Sequence, residues 1–220
     1  MIASFMKIKI SFEDREKIRF TSDFHLNHPR EFLWGARGFS SMQEHDEWIL
    51  EQLQTLPKNT ILVNLGDSCL NDASGETFAA LAQFEFEQHY LLNSNHMSGA
   101  KQAYQSTRDK LGLNFEDVYP ISYGNITFVG DYLELYFGRK MFPVMHYPIL
   151  SWNNMGRGSL MVSGHCHNNN PLTNASSDRM KVIDVGVDSN IERYGSAFIT
   201  YDQLLEVGAE RENSIIDHHE

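Results

Sequence analysis

The chain has 220 residues, 41% of them hydrophobic and 12% aromatic, and its 18 basic and 29 acidic residues give a formal charge of −11. That length and composition suit one globular domain over residues 1–220, and the acidic balance argues against a broad surface for extended nucleic acid. No apolar run could span a bilayer and Met1-Ile2-Ala3-Ser4-Phe5 lacks the basic and apolar regions of a secretion signal, so a cytoplasmic protein with no membrane partner is expected.

Lys7-Ile8-Lys9-Ile10-Ser11-Phe12 alternates like a half-exposed strand, Glu13 to Glu16 is a polar turn, and Ile18 to Ser22 is a second strand. The three together predict a hairpin whose second arm delivers Asp23 and His25 at its carboxyl end, where layered α/β folds carry chemistry. His28, Arg30, Arg37 and Phe39 follow in a loop too irregular for a helix. Ser41 with Glu44 predicts a capping box for a helix over 42–56, with Met42, His45, Trp48, Ile49, Leu53 and Leu56 at helical spacing before Pro57. His45 and Asp46 on that helix read as a satisfied surface or boundary pair.

Thr60 to Leu65 is a short apolar strand ending at Gly66-Asp67, a helix is predicted over about 75–88, and His89 to Leu92 is a strand that runs into Asn93-Ser94-Asn95-His96. The order of strands and helices is that of a parallel α/β sheet. After a third helix over about 99–111 the character changes. Strands are predicted at 126–129, 132–137, 142–146, 160–162, 182–185 and 197–200 with few helices between them, which suggests a second, mixed sheet packed on the first. Asp184 and Asp188 flank Val185-Gly186-Val187 and read either as partners behind a site or as a structural turn. Cys69 and Cys166 are expected as reduced, space-filling thiols, and the end of the chain, from about 208, as a polar tail.

Asp23-Phe24-His25, Gly66-Asp67, Asn95-His96, His146 and Gly164-His165-Cys166-His167 each follow an apolar run. Two imidazoles one residue apart after a glycine turn can both face a metal, and in this pattern Cys166 between them points away. Read in order, the five motifs resemble the calcineurin-like metallophosphoesterases, in particular their small bacterial and phage members, over Phe20 to about Asp188. The resemblance implies an α/β fold of the four-layer αββα type, two mixed sheets flanked by helices. It also implies a dinuclear centre with one metal on Asp23, His25 and His167, another on Asn95, His146 and His165, and Asp67 bridging them. The expected activity is hydrolysis of phosphomonoester or phosphodiester bonds by attack of a metal-bridging hydroxide. Mixed nitrogen and oxygen ligands suit divalent transition metals, with manganese favoured and iron, zinc or nickel possible.

The resemblance makes His96 a catalytic general acid or phosphate binder alongside Asp67. The family's Gly-Asn-His-Asp/Glu stands here as Ser94-Asn95-His96-Met97, so the acidic neighbour that would orient the histidine is absent. His28 and Arg37, just after the first ligand pair, are candidate phosphate contacts. A small phosphorylated substrate or nucleotide is the expected partner, and no oligomeric state is implied. A nuclease or nucleic-acid end-processing phosphatase would instead need a groove built from residues such as Arg15, Arg19, Arg30, Arg37, Lys101, Arg108 and Arg157. A catalytically weak metal-binding scaffold is the reading outside enzymes.

Overall fold

In the computed structural model, residues 5–70, 76–96, 121–123, 125–169 and 181–209 are described. The helix expected over 99–111, Met97 and the chain beyond Ala209 lie outside them. In chain order the described elements are β1 (Phe5–Ile10), a 3-10 turn (Phe12–Lys17), β2 (Ile18–Thr21), α1 (Glu31–Trp34), α2 (Met42–Thr55), β3 (Ile61–Asn64), α3 (Glu76–Ala82) and β4 (Gln88–Leu92). They continue with β5 (Ile121–Tyr123), β6 (Ile126–Gly130), β7 (Tyr132–Phe137), β8 (Lys140–Met145), a 3-10 turn (Met155–Arg157), β9 (Met161–Ser163), β10 (Val182–Asp184), α4 (Val187–Tyr194), β11 (Ile199–Thr200) and α5 (Tyr201–Ala209).

The strands form two mixed sheets, one in the order β1-β7-β8-β9-β10 and one in the order β11-β2-β3-β4-β6-β5. Alternation along each strand sorts the side chains into layers. Ile8, Leu133, Leu135, Val144, Val162 and Ile183 of the first sheet meet Phe20, Ile61, Val63 and Leu92 of the second in one shared core. The opposite face of the second sheet, with Leu62, Leu91, Ile126 and Phe128, packs against Ile49 and Leu53 of α2, Leu81 of α3 and Val187 of α4. Met161 and Val182 on the outer face of the first sheet are covered by Trp152 and Met155. Helix α5 adds Tyr201, Leu204 and Val207 to the shared core. The expected architecture of two mixed sheets flanked by helices is therefore present.

The predicted hairpin is not. β1 pairs in parallel with β7, Ile8 opposite Leu135, while β2 pairs in parallel with β3 in the other sheet. β2 is buried on both faces, as an interior strand must be, whereas β1 alternates lysine with isoleucine in the manner of an edge strand. The intervening residues wind into a 3-10 turn capped by the Ser11 hydroxyl, which accepts from Glu13 N at 3.3 Å, and this turn carries the chain from one sheet to the other. β6 and β11, expected in a sheet made by the later part of the chain, instead pair with β4 and β2 in the sheet that also holds β3. The loop after β2 holds a single helical turn, α1, where no helix was expected. Helix α2 begins as expected, with Ser41 Oγ accepting from Glu44 N at 3.1 Å, although the Glu44 carboxylate reaches Ser40 N rather than closing the box. Helix α3 stops at Ala82, short of the expected 88, and α4 and α5 were not anticipated.

β4 carries a polar misfit. His89 sits opposite Leu62 and Ile126 on the helix-covered face, is 1% exposed, and neither ring nitrogen has a hydrogen-bond partner among the described residues. Burial pushes its pKa down from the ordinary 6.5 to about 3. Above pH 6.5 the ring is neutral whether the chain is folded or unfolded. Between 6.5 and 3 the unfolded chain takes up a proton that the folded one refuses, so this residue makes stability fall as pH falls across that window. At about 1.36 kcal/mol per pH unit, roughly 2 kcal/mol is lost by pH 5. Urea midpoints at pH 7 and pH 5 should therefore lie closer together in His89→Leu than in the wild type, and equal gaps in the two proteins would refute this account.

Candidate metal centre

Asp23 and His25 follow β2, Asp67 follows β3, Asn95 and His96 follow β4, His146 follows β8, and His165 and His167 follow β9. All these strand ends converge, although they belong to different sheets. Beyond the last strand residues the backbones stay zipped together. Leu65 N donates to Thr21 O, Asp23 N to Gly66 O, His25 N to Asp67 O and Leu26 N to Ser68 O, at 2.9–3.0 Å. Gly164 N donates to His146 O at 3.0 Å and Val187 N to Ser22 O at 3.0 Å.

Two glycines make the convergence possible. A Cβ on Gly164 would lie 2.6 Å from Asp23 Oδ2 and closer still to the Ser22 hydroxyl, and one on Gly66, whose φ is +110°, would lie 2.5 Å from Ser94 Cβ. The loops also hold several larger residues in the left-handed region: Asp23, His25, Asp67, His165 and His167 have φ of 61°, 50°, 48°, 72° and 48°. Each such conformation costs on the order of 1–3 kcal/mol, and such strain gathers at functional sites.

Three groups of side chains place ligand atoms within 4.8 Å of one another: Asp23, His25 and His167; His25, Asp67 and His96; and Asp67, His146 and His165. Asp67 lies between the outer two, its Oδ2 3.8 Å from His25 Nε2 and 3.3 Å from His146 Nε2. Asn95 joins through its Oδ1, 3.0 Å from His146 Nε2. His25 Nε2 and His167 Nε2 face each other at 3.2 Å.

These atoms are of the kind that ligate a cation. His146 Nδ1 lies 3.1 Å from Leu65 O and His167 Nδ1 lies 2.8 Å from Asp188 Oδ2, so with the N–H on Nδ1 each ring would turn its Nε2 lone pair into the site. Asp23 Oδ1 is buried with no hydrogen-bond partner among the described residues. Clustered acceptors of this kind could hold metal ions. Burial alone would weaken the charged form of every group, and for His25, with His167 beside it, the pKa falls to about 2. Burial also opposes the charged forms of Asp67 and His146, but their mutual hydrogen bond outweighs it, holding the carboxyl below its usual range and raising the imidazole. A cation there would favour the neutral imidazoles instead.

Asp67 is held by its neighbours' backbone and hydroxyl groups. Its carboxylate accepts from His96 N at 3.0 Å, and its own N–H donates to Ser94 Oγ at 2.7 Å. Ser94 thus fills the space beside Gly66 and fixes the Asp67 backbone. Asp23 is fixed in the same way by His165 N, 2.9 Å from its Oδ2.

Arg37 does not reach toward a phosphate position. Its Nε and one terminal nitrogen donate to the two oxygens of Asp188 at 3.1 and 2.7 Å, and the remaining N–H groups go to Asp23 O at 2.8 Å, Phe24 O at 3.2 Å and His45 Nε2 at 2.8 Å. A guanidinium has five N–H groups, and all are used. The expectation of a phosphate contact is therefore corrected: the side chain is buried behind the site because two backbone carbonyls and a carboxylate need its donors. Asp46 extends the chain, its Oδ1 2.8 Å from His45 Nδ1, so Asp46, His45, Arg37, Asp188 and His167 form one continuous network. The pair His45 and Asp46, expected at the boundary, is its outer end. His28 is buried beside the His25 ring, with Nδ1 accepting from Arg30 N at 3.3 Å, which leaves its other nitrogen to donate.

Cys166 belongs to none of the three ligand groups found among the described residues, and neither cysteine is in a disulfide. Tyr147 was missed from the sequence: its ring lies against those of His146 and His165, and its hydroxyl donates to Asn95 Oδ1 at 3.2 Å. Adjacency to His146 was the only signal for it. Asp184, one of the two carboxylates flanking Val185 to Val187, accepts from Gly186 N at 2.8 Å and Asn168 N at 3.1 Å. No helix among the described residues is long and apolar enough to cross a membrane. No protein-family model matches the chain, and neither the curated proteins nor the solved structures contain a match.

The network behind His167 generates a metal-affinity prediction. Asp188→Ala removes the acceptor of His167 Nδ1 and strands Arg37, and loss of such an orienting carboxylate typically costs about 10–100-fold in metal affinity. Asp188→Asn, which keeps an acceptor oxygen, should lose less. Competition against a chromogenic chelator measures both, and an unchanged affinity in Asp188→Ala would show that His167 needs no support from behind.

Proposed function

We propose that the chain is a metal-dependent phosphoric ester hydrolase of the calcineurin-like metallophosphoesterase type, acting on a small phosphomonoester, nucleotide or cyclic diester. The observation that carries this reading is Asp67, a buried carboxylate whose one oxygen faces His25 on one side and His146 on the other. That is the placement a ligand shared by two cations about 3.5–4 Å apart requires. Asp23, His25 and His167 would hold one ion and Asn95, His146 and His165 the other. Two divalent ions, manganese by preference, would supply a neutralised phosphoryl group and water acidified enough to attack at neutral pH.

The chain's own residues do the rest. Asp67 and Asp23 are pinned by backbone N–H groups, so the carboxylates keep their places without reorganising during reaction. His96 is the one imidazole of the central group with a third of its side chain exposed, and its Nε2 lies 3.9 Å from Asp67 Oδ2. It is placed to hold a proton at Nε2 for the leaving oxygen. The Tyr147 ring packs against that of His146 and the His28 ring against that of His25. Of the cations that a nuclease groove would draw on, Arg37 is fully committed to protein acceptors, which favours the small substrate.

Chelated protein should lose hydrolysis of nitrophenyl phosphate esters and regain it with manganese, and metal analysis should approach two ions per chain. Saturation below one ion per chain would end the dinuclear reading. Asp67→Asn should be more damaging than Asp23→Asn, because it withdraws charge from both ions. A panel of nitrophenyl mono- and diesters, nucleotides and single-stranded DNA identifies the substrate class.

His96 generates a second test. General acids contribute about 10²–10⁴-fold, and the gain falls on poor leaving groups such as alkoxides more than on nitrophenolate. His96→Ala should therefore slow alkyl esters more than aryl esters. Equal losses on both would make His96 a phosphate binder and not a proton donor.

A further inference from the structure

A cavity of about 640 Å³ lies at the opposite end of the strands that carry the metal ligands. It opens at the start of β8, before β9 and before β10, whereas His146 and His165 lie past the far ends of β8 and β9. β8, β9 and β10 are mutually parallel, so the six residues of β8 separate the two sites by roughly 20 Å. The cavity is thus not part of the candidate metal centre.

Its lining has an unusual charge. Arg139, Lys140, Arg157 and Lys181 all contribute, and among the described residues no aspartate or glutamate does, in a chain whose acids outnumber its bases 29 to 18. None of these four side chains has a hydrogen bond or ion pair with a described residue. Elsewhere Lys7, Lys17, Arg37 and Lys58 are each paired with a carboxylate. The fold brings these cations together from three separate segments. Arg139 and Lys140 sit at the β7–β8 turn, Arg157 ends the 3-10 turn, and Lys181 lies beside Met161, whose N–H donates to its carbonyl at 2.8 Å. Between them the wall is apolar, with Phe142, Leu160 and Leu205.

Convergent like charges repel, and an anion bound among them would relieve that repulsion. An anion carrying several phosphoryl charges would do so, and an organic body would lie on the apolar wall. The volume is that of a small-molecule site and is far below what a duplex or folded nucleic acid would need. We propose that this cavity is a second binding site, separate from the metal centre, for a small organic polyphosphate of nucleoside di- or triphosphate class.

The test is calorimetric titration of the imido analogue of ATP into the full-length protein, both as purified and after chelation. One binding event should survive chelation, since none of the described residues that line the cavity belongs to the candidate metal centre. It should weaken at least tenfold in Arg139→Glu/Arg157→Glu, weaken by a smaller factor in Lys181→Gln, and persist in Asp67→Asn. Both arginines are exposed, so the double variant should keep the wild-type melting temperature. Affinity should fall from triphosphate to diphosphate to monophosphate, and inorganic triphosphate should bind more weakly than the nucleotide. The proposal is overturned if no binding survives chelation, or if the surviving event is indifferent to the double charge reversal. Inorganic triphosphate binding as tightly as the nucleotide would overturn it too, as would single-stranded DNA displacing the analogue at lower concentration than any nucleotide.

Discussion

Gly164 packs directly on the side chains of Ser22 and Asp23, so that the end of a strand from one sheet meets the end of a strand from the other at a distance that leaves no room for a Cβ on the glycine. The rest of the centre depends on this contact. It lets His165 N reach the Asp23 carboxylate, and it sets His165 and His167 of one sheet against His25 and Asp67 of the other. Two of the three groups, Asp23 with His25 and His167, and Asp67 with His146 and His165, draw ligands from both sheets, whereas His25, Asp67 and His96 all follow strands of one. The shared core of Phe20, Val63, Leu135 and Val162 therefore acts on the chemistry as well as on stability, since it fixes the distance between two half-sites.

Charge is arranged around the centre in depth. Asp23, Asp67, Asp184 and Asp188 are all buried or nearly so within a small volume. Burial opposes ionisation of Asp188, but His167 and the Arg37 guanidinium outweigh it and hold the carboxyl well below the usual range. Asp184 has no such cation, and burial together with the charge of Asp23 pushes it up to about 6. One arginine thus serves as the fixed counter-charge behind the ligands, using two backbone carbonyls of the Asp23 loop as further anchors. This explains why an arginine so close in sequence to Asp23 and His25 does not face solvent. Four cations without a described partner, Arg139, Lys140, Arg157 and Lys181, gather instead at the other end of the strands.

Local signals in the sequence described local features well. Short apolar runs ending in Asp, Asn or His marked the strand ends, and Ser41 marked the start of α2. Pairing is a different matter, because Ile8 opposite Leu135 joins residues far apart in the chain, and nothing in Lys7 to Ile10 distinguishes an edge of one sheet from an arm of a hairpin. The candidate ligands were legible by residue type, but not the left-handed backbone at Asp23, His25, Asp67, His165 and His167, which arises from loops pressing on one another. Arg37 was misread for a related reason. Its proximity to the ligand pair was visible, whereas the carbonyls and carboxylate that absorb its donors come together only in three dimensions. Tyr147 and the basic cavity carry no periodic pattern and could be found only once the strands were in place.

The backbone zipper between the loops after β2 and β3 has a consequence for motion. The amides of Asp23, His25 and Leu26 donate to Gly66, Asp67 and Ser68, so these loops continue the parallel ladder of the central strands. Binding loops usually come from the least protected part of a fold. Here the loop amides are bonded as strand amides are, and they can exchange with solvent hydrogen only when β2 and β3 part. The centre then opens as one cooperative unit with the middle of its sheet, and its geometry persists for as long as the fold itself does.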